Sequence, residues 1–416
     1  MRVAYFSPLP PERTGISDYS ALLVPALRRR IEVSTVRRGA RRPPRRSDIA
    51  LYHVGNNAPA HGWIVRALKR VPGVVVLHEH VIHHLVAGMT LARGDIEQYL
   101  DALEHEAGSE GRLLGQAAVD GVIPSLWETR AAEFPLTHWV LESARGVVVH
   151  SRFAERGARV AGYEGPVWRV PMPAWPSPPA PGEHGLPADR FPVVGCFGRL
   201  NEAKRVPETL HAFARLRARF PTALLVLAGS VDPGIGLEER LLRFGLVLDR
   251  DVLHLDYVQE ERLWALITRA DMCVNLRAPT MGETSGMVIR ILSAGTPVVV
   301  SDLGWFSELP DAVAAKVPVD EWEVDHLARV LELLAGDDEL RQRMGEAAAD
   351  YARTEHDLER TAELYVAALE VCAGGEAVRD AVLDEVAEAA QDVGLGPDSP
   401  ELAAVGKRLR ELGLDA

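Results

Sequence analysis

The segment Thr280–Pro310, "TMGETSGMVIRILSAGTPVVVSDLGWFSELP", contains the pattern that decides the fold. A polar loop with Glu283 leads into an apolar stretch with helical spacing, and a buried-strand pattern, "PVVVSD", follows. A loop, a helix and a buried strand in this order are typical of a parallel α/β sheet. The loop also brings a carboxylate next to the amides of a helix start, which suits a ligand that has both an anion and hydroxyl groups.

Outward from this segment, strand patterns alternate with helix patterns in two separate series. The first series begins at "RVAYFSPL" and the second at "PVVGCFGRL", on either side of a proline-rich stretch. We therefore predict the α/β class with two Rossmann-like, doubly wound domains that face a central cleft, where open α/β sheets bind ligands. The predicted boundaries are a first Rossmann-like domain at 1–172, a linker at 173–191, a second Rossmann-like domain at 192–355, a crossing helix at 356–375 and a helical tail at 376–416.

Composition limits the class of protein. Hydrophobic residues make up 47% and charged residues 25% of the 416 residues, which is typical of a globular chain. The three cysteines lack CxxC spacing, and neither a signal-peptide pattern nor an apolar run long enough to span a bilayer occurs. We therefore expect a cytoplasmic protein, and the net charge of -13 argues against nucleic acid as a partner.

The N-terminal 50 residues have the opposite charge to the rest of the chain. They contain eleven arginines and four acids, a balance of +7, which leaves -20 for the remainder of a chain whose total is -13. The Arg28–Arg46 stretch could contact an anionic membrane, as a peripheral contact at its inner face, or a phosphate-bearing acceptor. The alternative is that these arginines are simply solvated.

Two cations follow the first strand of the second series, in "FGRLNEAKR". Arg199 and Lys204 lie just beyond the strand end, where their charges could neutralise a diphosphate. The alternative is a pair of ordinary surface cations.

The motif "GETSG" precedes a predicted helix. The first-turn amides of that helix could bind an anion, Thr284 and Ser285 add hydroxyl groups, and Gly286 lets a ligand approach the backbone. Glu283 could accept hydrogen bonds from vicinal hydroxyls, such as those of a sugar ring. The alternative is that Thr284 or Ser285 is only the helix N-cap, which would not explain Glu283.

Two further positions in the first series are candidates. Gly15 lies in the loop after the first strand, where it could approach a phosphate or sugar, although a tight turn is the alternative. His78 ends the strand "VVVLH" and could bind a substrate hydroxyl. The HExxH pattern is absent there and "DRD" at Asp249–Asp251 is interpreted as a turn, so we predict no metal site.

These motifs, in this order over about residues 1–370, resemble the retaining, nucleotide-sugar-dependent glycosyltransferases of family 4, which have the GT-B fold. The resemblance implies transfer of a sugar from a nucleotide diphosphate sugar to a glycan or lipid-linked acceptor, in surface polysaccharide or glycolipid assembly, without a cofactor or catalytic metal. It implies catalytic roles for His78, Arg199, Lys204 and Glu283, and donor contacts for Gly15, Arg199, Lys204, Glu283, Thr284, Ser285 and Gly286. The segment Gly55–Asn57 is expected to shape the acceptor pocket.

One position departs from the family pattern. The family has a second glutamate that binds the nucleotide ribose, and counting back from "SAGTPV" places Arg290 there, whereas counting forward from Glu283 gives Ile291. We include Arg290 in the predicted donor site as a further phosphate partner. The ribose could instead be held differently, or Arg290 could face solvent. Gly304 and Glu308 also match family positions near the cleft.

Three other functions remain open from the sequence. The first is a catalytically silent subunit that binds a sugar nucleotide, with Arg290 as the sign of lost activity. The second is another GT-B enzyme, such as a phosphorylase or a 2-epimerase. The third is a membrane-associated assembly scaffold that uses the arginine-rich stretch and the C-terminal tail.

Overall fold

The computed structural model describes residues 1–12, 14–175, 183–396 and 399–411. They group into two units. The first unit comprises Met1–Pro173, Met281–Thr284 and the chain from Leu358 onward, and the second comprises Ala174–Thr280 and Ser285–Asp357. Part of the predicted proline-rich linker (176–182) and parts of the predicted tail (397–398 and 412–416) lie outside the described residues.

Each unit is built on a parallel sheet. The described strands are β1 (Arg2–Phe6), β2 (Glu32–Thr35), β3 (Ile49–Val54), β4 (Gly73–Leu77), β5 (Ala144–Val149), β6 (Val167–Arg169), β7 (Val193–Phe197), β8 (Leu224–Ala228), β9 (Val252–Leu255), β10 (Met272–Asn275), β11 (Val298–Ser301) and β12 (Ala314–Val317). In this part of the chain, one sheet has six strands in the order β2-β1-β3-β4-β5-β6 and the other has six in the order β12-β11-β10-β7-β8-β9. All strand pairs between neighbours are parallel.

The helices join these strands. They are α1 (Gly15–Arg28), α2 (Ala58–Leu68), α3 (His83–Thr90), α4 (Ile96–Val119), α5 (Leu126–Thr129), α6 (His138–Leu141), α7 (Arg152–Val160), α8 (Val206–Arg219), α9 (Leu237–Arg243), α10 (Glu260–Arg269), α11 (Gly286–Ser293), α12 (Glu323–Gly336), α13 (Asp338–Glu355), α14 (Leu358–Asp392) and α15 (Pro400–Glu411). Helix α4 is interrupted by non-helical backbone at Ala107 and Gly108.

The central strands are apolar along their whole length because helices cover both faces of a doubly wound sheet. Every residue of β4 and β7 is buried, as is every residue of β8 and β11. Each unit has its own apolar core, around Tyr52 and Leu77 in the first and around Val194 and Leu227 in the second. The α/β class and the two doubly wound sheets predicted from the sequence are confirmed.

The C-terminal chain returns to the first unit through α14. This helix continues without a break across residues 375 and 376, the predicted boundary between the crossing helix and the helical tail. The hydroxyl groups of Tyr19 and Tyr365 lie 2.6 Å apart, and Arg30 donates to Glu363 over 2.9 Å. These contacts fix the start of α14 against α1. Among the described helices, none is both long and apolar enough to cross a bilayer.

The "DRD" segment is a turn, as predicted. Asp249 adopts a left-handed conformation with φ 61°, and the Asp251 carboxylate is 1% exposed. That carboxylate accepts hydrogen bonds from Arg250 and from the Val247 amide, and it lies 2.6 Å from Arg217. Asp251 therefore stabilises the entry to β9.

Candidate functional site

Lys204 is held at the carboxyl end of β7. The Asn201 side chain accepts a hydrogen bond from the Lys204 amide and so forms the short turn that carries this lysine. The residue is 8% exposed, and its Nζ donates to the Phe197 carbonyl over 2.7 Å. Its ammonium group is therefore fixed at the end of a central strand, unlike the mobile cation of an ordinary surface loop.

Gly198 lies close to the side chains of Lys204 and of Met287, which is in the first turn of α11. A methyl group added at Gly198 would lie 3.0 Å from Lys204 Nζ and 4.0 Å from Met287 Cε. Gly198 has φ +90°, and the Gly198 carbonyl is approached so closely by Gly229 that a Cβ on Gly229 would lie 2.2 Å from it. A side chain at either glycine would enter this region, so the two glycines keep it open beside the Lys204 ammonium group and the Met287 side chain.

Ser285 caps α11. Its Oγ accepts a hydrogen bond from the Val288 amide over 3.3 Å, and its backbone is extended, with φ -86° and ψ 106°. The N-cap interpretation is therefore confirmed for Ser285. The amides of Gly286 and Met287 belong to the first turn, where a helix provides no carbonyl partner for them and where its dipole is positive.

Two polar residues at the same edge of the sheet were missed in the sequence analysis. Asn275 ends β10 at 1% exposure, and neither polar atom of its carboxamide has a hydrogen-bond partner in the described part of the chain. Arg277 follows it and donates its amide to Ser301 Oγ over 2.8 Å. Burial raises the pKa of the Cys196 thiol, and the nearby cations of Lys204 and Arg277 act in the opposite direction. The polar residues after the apolar run "MCV" were the available signal.

Arg199 lies beyond the same strand end but is bound to an acid. Its Nε donates to Asp232 Oδ1 over 2.9 Å and a second guanidinium nitrogen donates to Oδ2 over 3.2 Å. The side chain is 71% exposed. A diphosphate that binds Arg199 would therefore have to compete with Asp232 or share the guanidinium with it.

Glu283 and Thr284 belong to the short segment that groups with the first unit. The Met281 carbonyl accepts from the Val81 amide over 2.9 Å, and Glu283 Oε2 accepts from the Met281 amide over 2.8 Å. Thr284 Oγ1 is buried and has no hydrogen-bond partner among the described residues. The predicted site residues are thus divided, with Glu283 and Thr284 in one unit and Lys204, Ser285 and Gly286 in the other.

His78 follows β4 and is 9% exposed. Its Nε2 lies 2.9 Å from Nδ1 of His53, which is fully buried in β3. Burial, together with the neighbouring His150 and His53, lowers the pKa of His78 well below its ordinary value of 6.5. His78 is therefore a neutral imidazole at physiological pH.

Gly15 is the first residue of α1 and not a loop residue, because Thr14 caps that helix by accepting from the Ser17 amide over 3.0 Å. A methyl group added at Gly15 would meet nothing within 4 Å, so packing in the described chain does not require glycine there.

The "GNN" segment has structural roles. Asn57 caps α2 by accepting from the Ala60 amide, and the Asn56 side chain accepts from the Leu85 amide over 3.0 Å. The Asn56 amide donates to Glu79 over 2.6 Å. These bonds join the end of β3 to the chain that follows β4, which is the region expected to shape the acceptor pocket.

Arg290 lies in the last turn of α11. Its guanidinium carbon is 3.4 Å from the centre of the Trp175 ring, so one face of the guanidinium is stacked on an aromatic residue. This contact was not expected from the sequence, which offered a phosphate partner or a solvent-facing side chain.

No cluster of three or more metal-ligating side chains occurs within the ranges that the structure describes.

The fold defines the class of this protein before any family is considered. Two six-stranded parallel α/β units with a long C-terminal helix are a GT-B-like arrangement. WaaG, described as a glycosyltransferase involved in lipopolysaccharide biosynthesis, matches with TM-score 0.54 and 15% identity over 90% of this chain and 100% of that chain. Sucrose-phosphate synthase from Thermosynechococcus elongatus matches with TM-score 0.58 and 18% identity over 87% and 97%. At these identities the likeness concerns the fold alone.

Sequence comparison then gives the family. Residues 183–351 match the model for glycosyl transferases group 1. D-inositol 3-phosphate glycosyltransferase of Corynebacterium efficiens is 30% identical over 300 residues, which is 70% of this chain and 64% of that protein. The chain belongs to the glycosyl transferase group 1 family, as the motifs predicted. It spans somewhat less than two thirds of the length of this relative.

Proposed function

We propose that this protein transfers a sugar from a nucleotide diphosphate sugar to an acceptor hydroxyl, with retention at the anomeric carbon. One observation carries the proposal: at the carboxyl end of β7, the Lys204 ammonium group and the side chain of Met287, a first-turn residue of α11, both lie close to Gly198. A buried ammonium group, together with first-turn helix amides that have no intrahelical acceptor, can bind a phosphate group. The membership in the glycosyl transferase group 1 family supports the same donor class.

In the proposed reaction, the bond between the anomeric carbon and the diphosphate oxygen breaks, and the acceptor oxygen forms a bond to that carbon. The acceptor proton leaves with the diphosphate. Negative charge grows on the diphosphate as the bond breaks, and Lys204 and the amides of Gly286 and Met287 stabilise it. Arg199 contributes when the diphosphate competes with Asp232. The fold holds Lys204 and the α11 amides in place before the donor binds, so little reorganisation of the site is needed as the charge develops.

The first unit is proposed to supply the contacts to the sugar and the acceptor. Glu283 accepts hydrogen bonds from sugar hydroxyls, and His78, as a neutral imidazole, contacts the transferred sugar. Gly15 and, from the second unit, the Arg290 guanidinium group are further proposed contacts to the donor. The relative named for D-inositol 3-phosphate makes a phosphorylated hydroxyl compound one acceptor to test, beside a glycan or lipid-linked acceptor in surface polysaccharide or glycolipid assembly.

The test has two stages. A thermal-shift screen against UDP-, GDP-, ADP- and TDP-sugars identifies the donor, and a product assay with that donor then detects transfer to candidate acceptors. We expect one nucleotide class to raise the melting temperature clearly and the protein to release the matching nucleoside diphosphate. If sugar phosphates, and no nucleotide sugars, stabilise the protein and are consumed, it is a phosphorylase or a related enzyme.

A catalytically silent nucleotide-sugar-binding subunit is the second candidate. Two observations favour it: Arg199 is bound to Asp232, and neither Arg290 nor Ile291, the two candidates for the second family glutamate, is an acid. Calorimetric titration combined with a donor-hydrolysis assay separates the two functions. Binding without hydrolysis or transfer, across all candidate acceptors, would favour the silent subunit.

We also propose that an arginine surface on the first unit contacts an anionic membrane. Within the described residues, Arg29 and Arg30 are paired with Glu359, and Arg38 with Glu12, so these three do not contribute to an excess of charge. Exposed arginines without an ion-pair partner among the described residues are Arg37, Arg41, Arg42, Arg45 and Arg46.

This surface continues onto α2. The pKa of Arg66 is lowered by burial and then by Arg93, Arg70 and Arg41, so Arg41 lies near a second group of arginines. Anionic headgroups would relieve this repulsion. Co-sedimentation with vesicles of phosphatidylserine and phosphatidylcholine should exceed that with phosphatidylcholine alone, and it should fall with salt. Equal binding to both vesicles, or none, would contradict the contact.

A further inference from the structure

A layer of buried polar rings lies at the carboxyl end of the first sheet. It comprises Tyr5, His53, His78 and His150 from the sheet and Tyr19 and Tyr365 from the helices α1 and α14. Ring centroids are 5.2 Å apart for His53 and His78 and 5.1 Å apart for His78 and His150. Such a group is unusual in an apolar core, because each buried polar atom requires a partner.

Within this layer, the hydrogen bond between His53 Nδ1 and His78 Nε2 determines which nitrogen has the proton. In a neutral imidazole one nitrogen donates and the other accepts. The other nitrogen of His53, Nε2, is buried and has no hydrogen-bond partner in the part of the chain that the structure describes. His53 can therefore have its proton on Nδ1, shared with His78, or on Nε2, where it would have no partner.

The first arrangement is favoured. A buried N–H group without an acceptor is rarer in proteins than a lone pair without a donor. The nearest ring, that of Tyr5, lies 4.5 Å from His53 at an interplanar angle of 37°. It is closer to stacked than to perpendicular, so an N–H in the imidazole plane does not point into its face. His53 thus donates from Nδ1, and His78 accepts at Nε2.

We propose that His53 is a positioning residue that fixes His78 in the tautomer with its proton on Nδ1, so that His78 presents a hydrogen-bond donor to a ligand oxygen. This inference rests on the proposed function, in which His78 contacts the transferred sugar. The pKa values of both histidines are lowered well below 6.5, by burial before any other cause, which keeps both rings neutral and makes the tautomer the relevant property. The other titratable rings near His53 are those of His61, His150, Tyr5, Tyr19 and Tyr365.

The test reads the tautomer directly. In protein labelled with 15N in its histidine rings, the chemical shifts of His78, assigned with a His78→Ala variant, should show a proton on Nδ1. His53→Asn keeps an N–H donor near the Nδ1 position and should preserve this tautomer. His53→Leu removes the donor and should give the other tautomer or a mixture. A wild-type His78 that has its proton on Nε2 would overturn the inference, whatever the reaction of the protein.

Kinetics with the donor identified above give the second readout. His53→Leu should lower kcat about tenfold, at the lower end of what loss of an orienting partner costs, whereas His53→Asn should recover most of that loss. In a His78→Ala background, His53→Leu should have no further effect on kcat. An equal loss in both backgrounds would show that His53 acts through the core and not through His78. Melting temperatures of all variants identify those that fail to fold.

Discussion

The guanidinium group of Arg290 lies on the ring of Trp175, with 3.4 Å between its central carbon and the ring centre. Trp175 precedes the second unit's first strand, and Arg290 comes from α11, whose other end is part of the proposed phosphate site. The Trp175 ring covers one face of the guanidinium group. Trp175 therefore restricts the position of the Arg290 cation, one of the two candidates for the position of the second family glutamate.

This contact predicts coupling between the two residues. Trp175→Leu and Arg290→Met should each lower the stability of the protein, and a double-mutant cycle should give about 0.5–2 kcal/mol for the pair. If Arg290 also binds the donor, Trp175→Leu should weaken nucleotide binding in the wild type but not in the Arg290→Met background. Denaturant unfolding and calorimetric titration measure the two effects. Additive losses of stability would contradict the coupling.

Among the cations of the proposed site, Lys204 should be the one whose substitution lowers kcat most. Lys204→Met removes the buried ammonium group that faces the leaving diphosphate, and we expect a loss on the order of 10²–10³ in kcat. Lys204→Arg should not restore activity, because the buried ammonium group bonds the Phe197 carbonyl and lies close to Gly198, where a larger guanidinium group would be crowded.

The matched control for this variant is Lys316→Met. Lys316 lies in β12 and forms an ion pair with Asp311, so its loss also removes a lysine charge from the second unit. We expect wild-type kcat for the control. Steady-state kinetics with the donor identified by thermal shift measure both variants, and similar losses for the two would argue against the assigned phosphate site.

Asp232 should act as a competitor for Arg199. Since the two form a two-point ion pair, Asp232→Asn should release the guanidinium and lower the Kd for a nucleoside diphosphate. Arg199→Ala should raise that Kd by about tenfold, as expected for the loss of one charged hydrogen-bond partner. In the double variant the effect of Asp232→Asn should disappear. A tighter Kd that persists without Arg199 would show that Asp232 acts by long-range repulsion of the diphosphate.

Asp251 predicts a pH dependence of stability. Hydrogen bonds from Arg250 are the first cause that lowers the pKa of Asp251 below its ordinary 3.8. A group with a depressed pKa in the folded state contributes its full stability above its unfolded pKa and loses it as the pH falls through the folded pKa. Asp251→Asn should therefore lower the free energy of unfolding by about 2 kcal/mol at pH 7.

The difference in the free energy of unfolding between wild type and Asp251→Asn should stay constant down to about pH 5. It should then become smaller below the ordinary pKa of 3.8. Urea unfolding at pH 7, 5 and 3.5 measures it. Asp311→Asn, on a fully exposed carboxylate, serves as the control and should leave the unfolding midpoint at pH 7 unchanged. A stability difference that does not vary with pH would mean that Asp251→Asn destabilises the protein by disturbing packing and not by removing the charge.

Much of the fold and the centre of the proposed site were predictable from sequence because their signals are local. Continuous apolar runs such as "VVVL" and "LLVLA" identify strands buried on both faces, and the residues between them show helical spacing. Lys204 and Ser285 were found because each directly follows or precedes an element whose end is a binding position in such sheets. The local pattern does not single out Thr14 as the cap of α1, because the nearby Ser17 and Asp18 are equally good capping residues.

The sequence by itself determined two parallel α/β sheets and the order of the motifs along them, since apolar periodicity is a property of neighbouring residues. Only the tertiary structure decided which polar groups meet. His53 and His78 are 25 positions apart and form a hydrogen bond because β3 and β4 are adjacent strands. Arg199 contacts Asp232 because β7 and β8 are adjacent strands. Arg290 on α11 contacts Trp175 because the helix packs against the segment that precedes β7. Strand order and packing bring these side chains within reach, and neither is encoded in the spacing of residues along the chain.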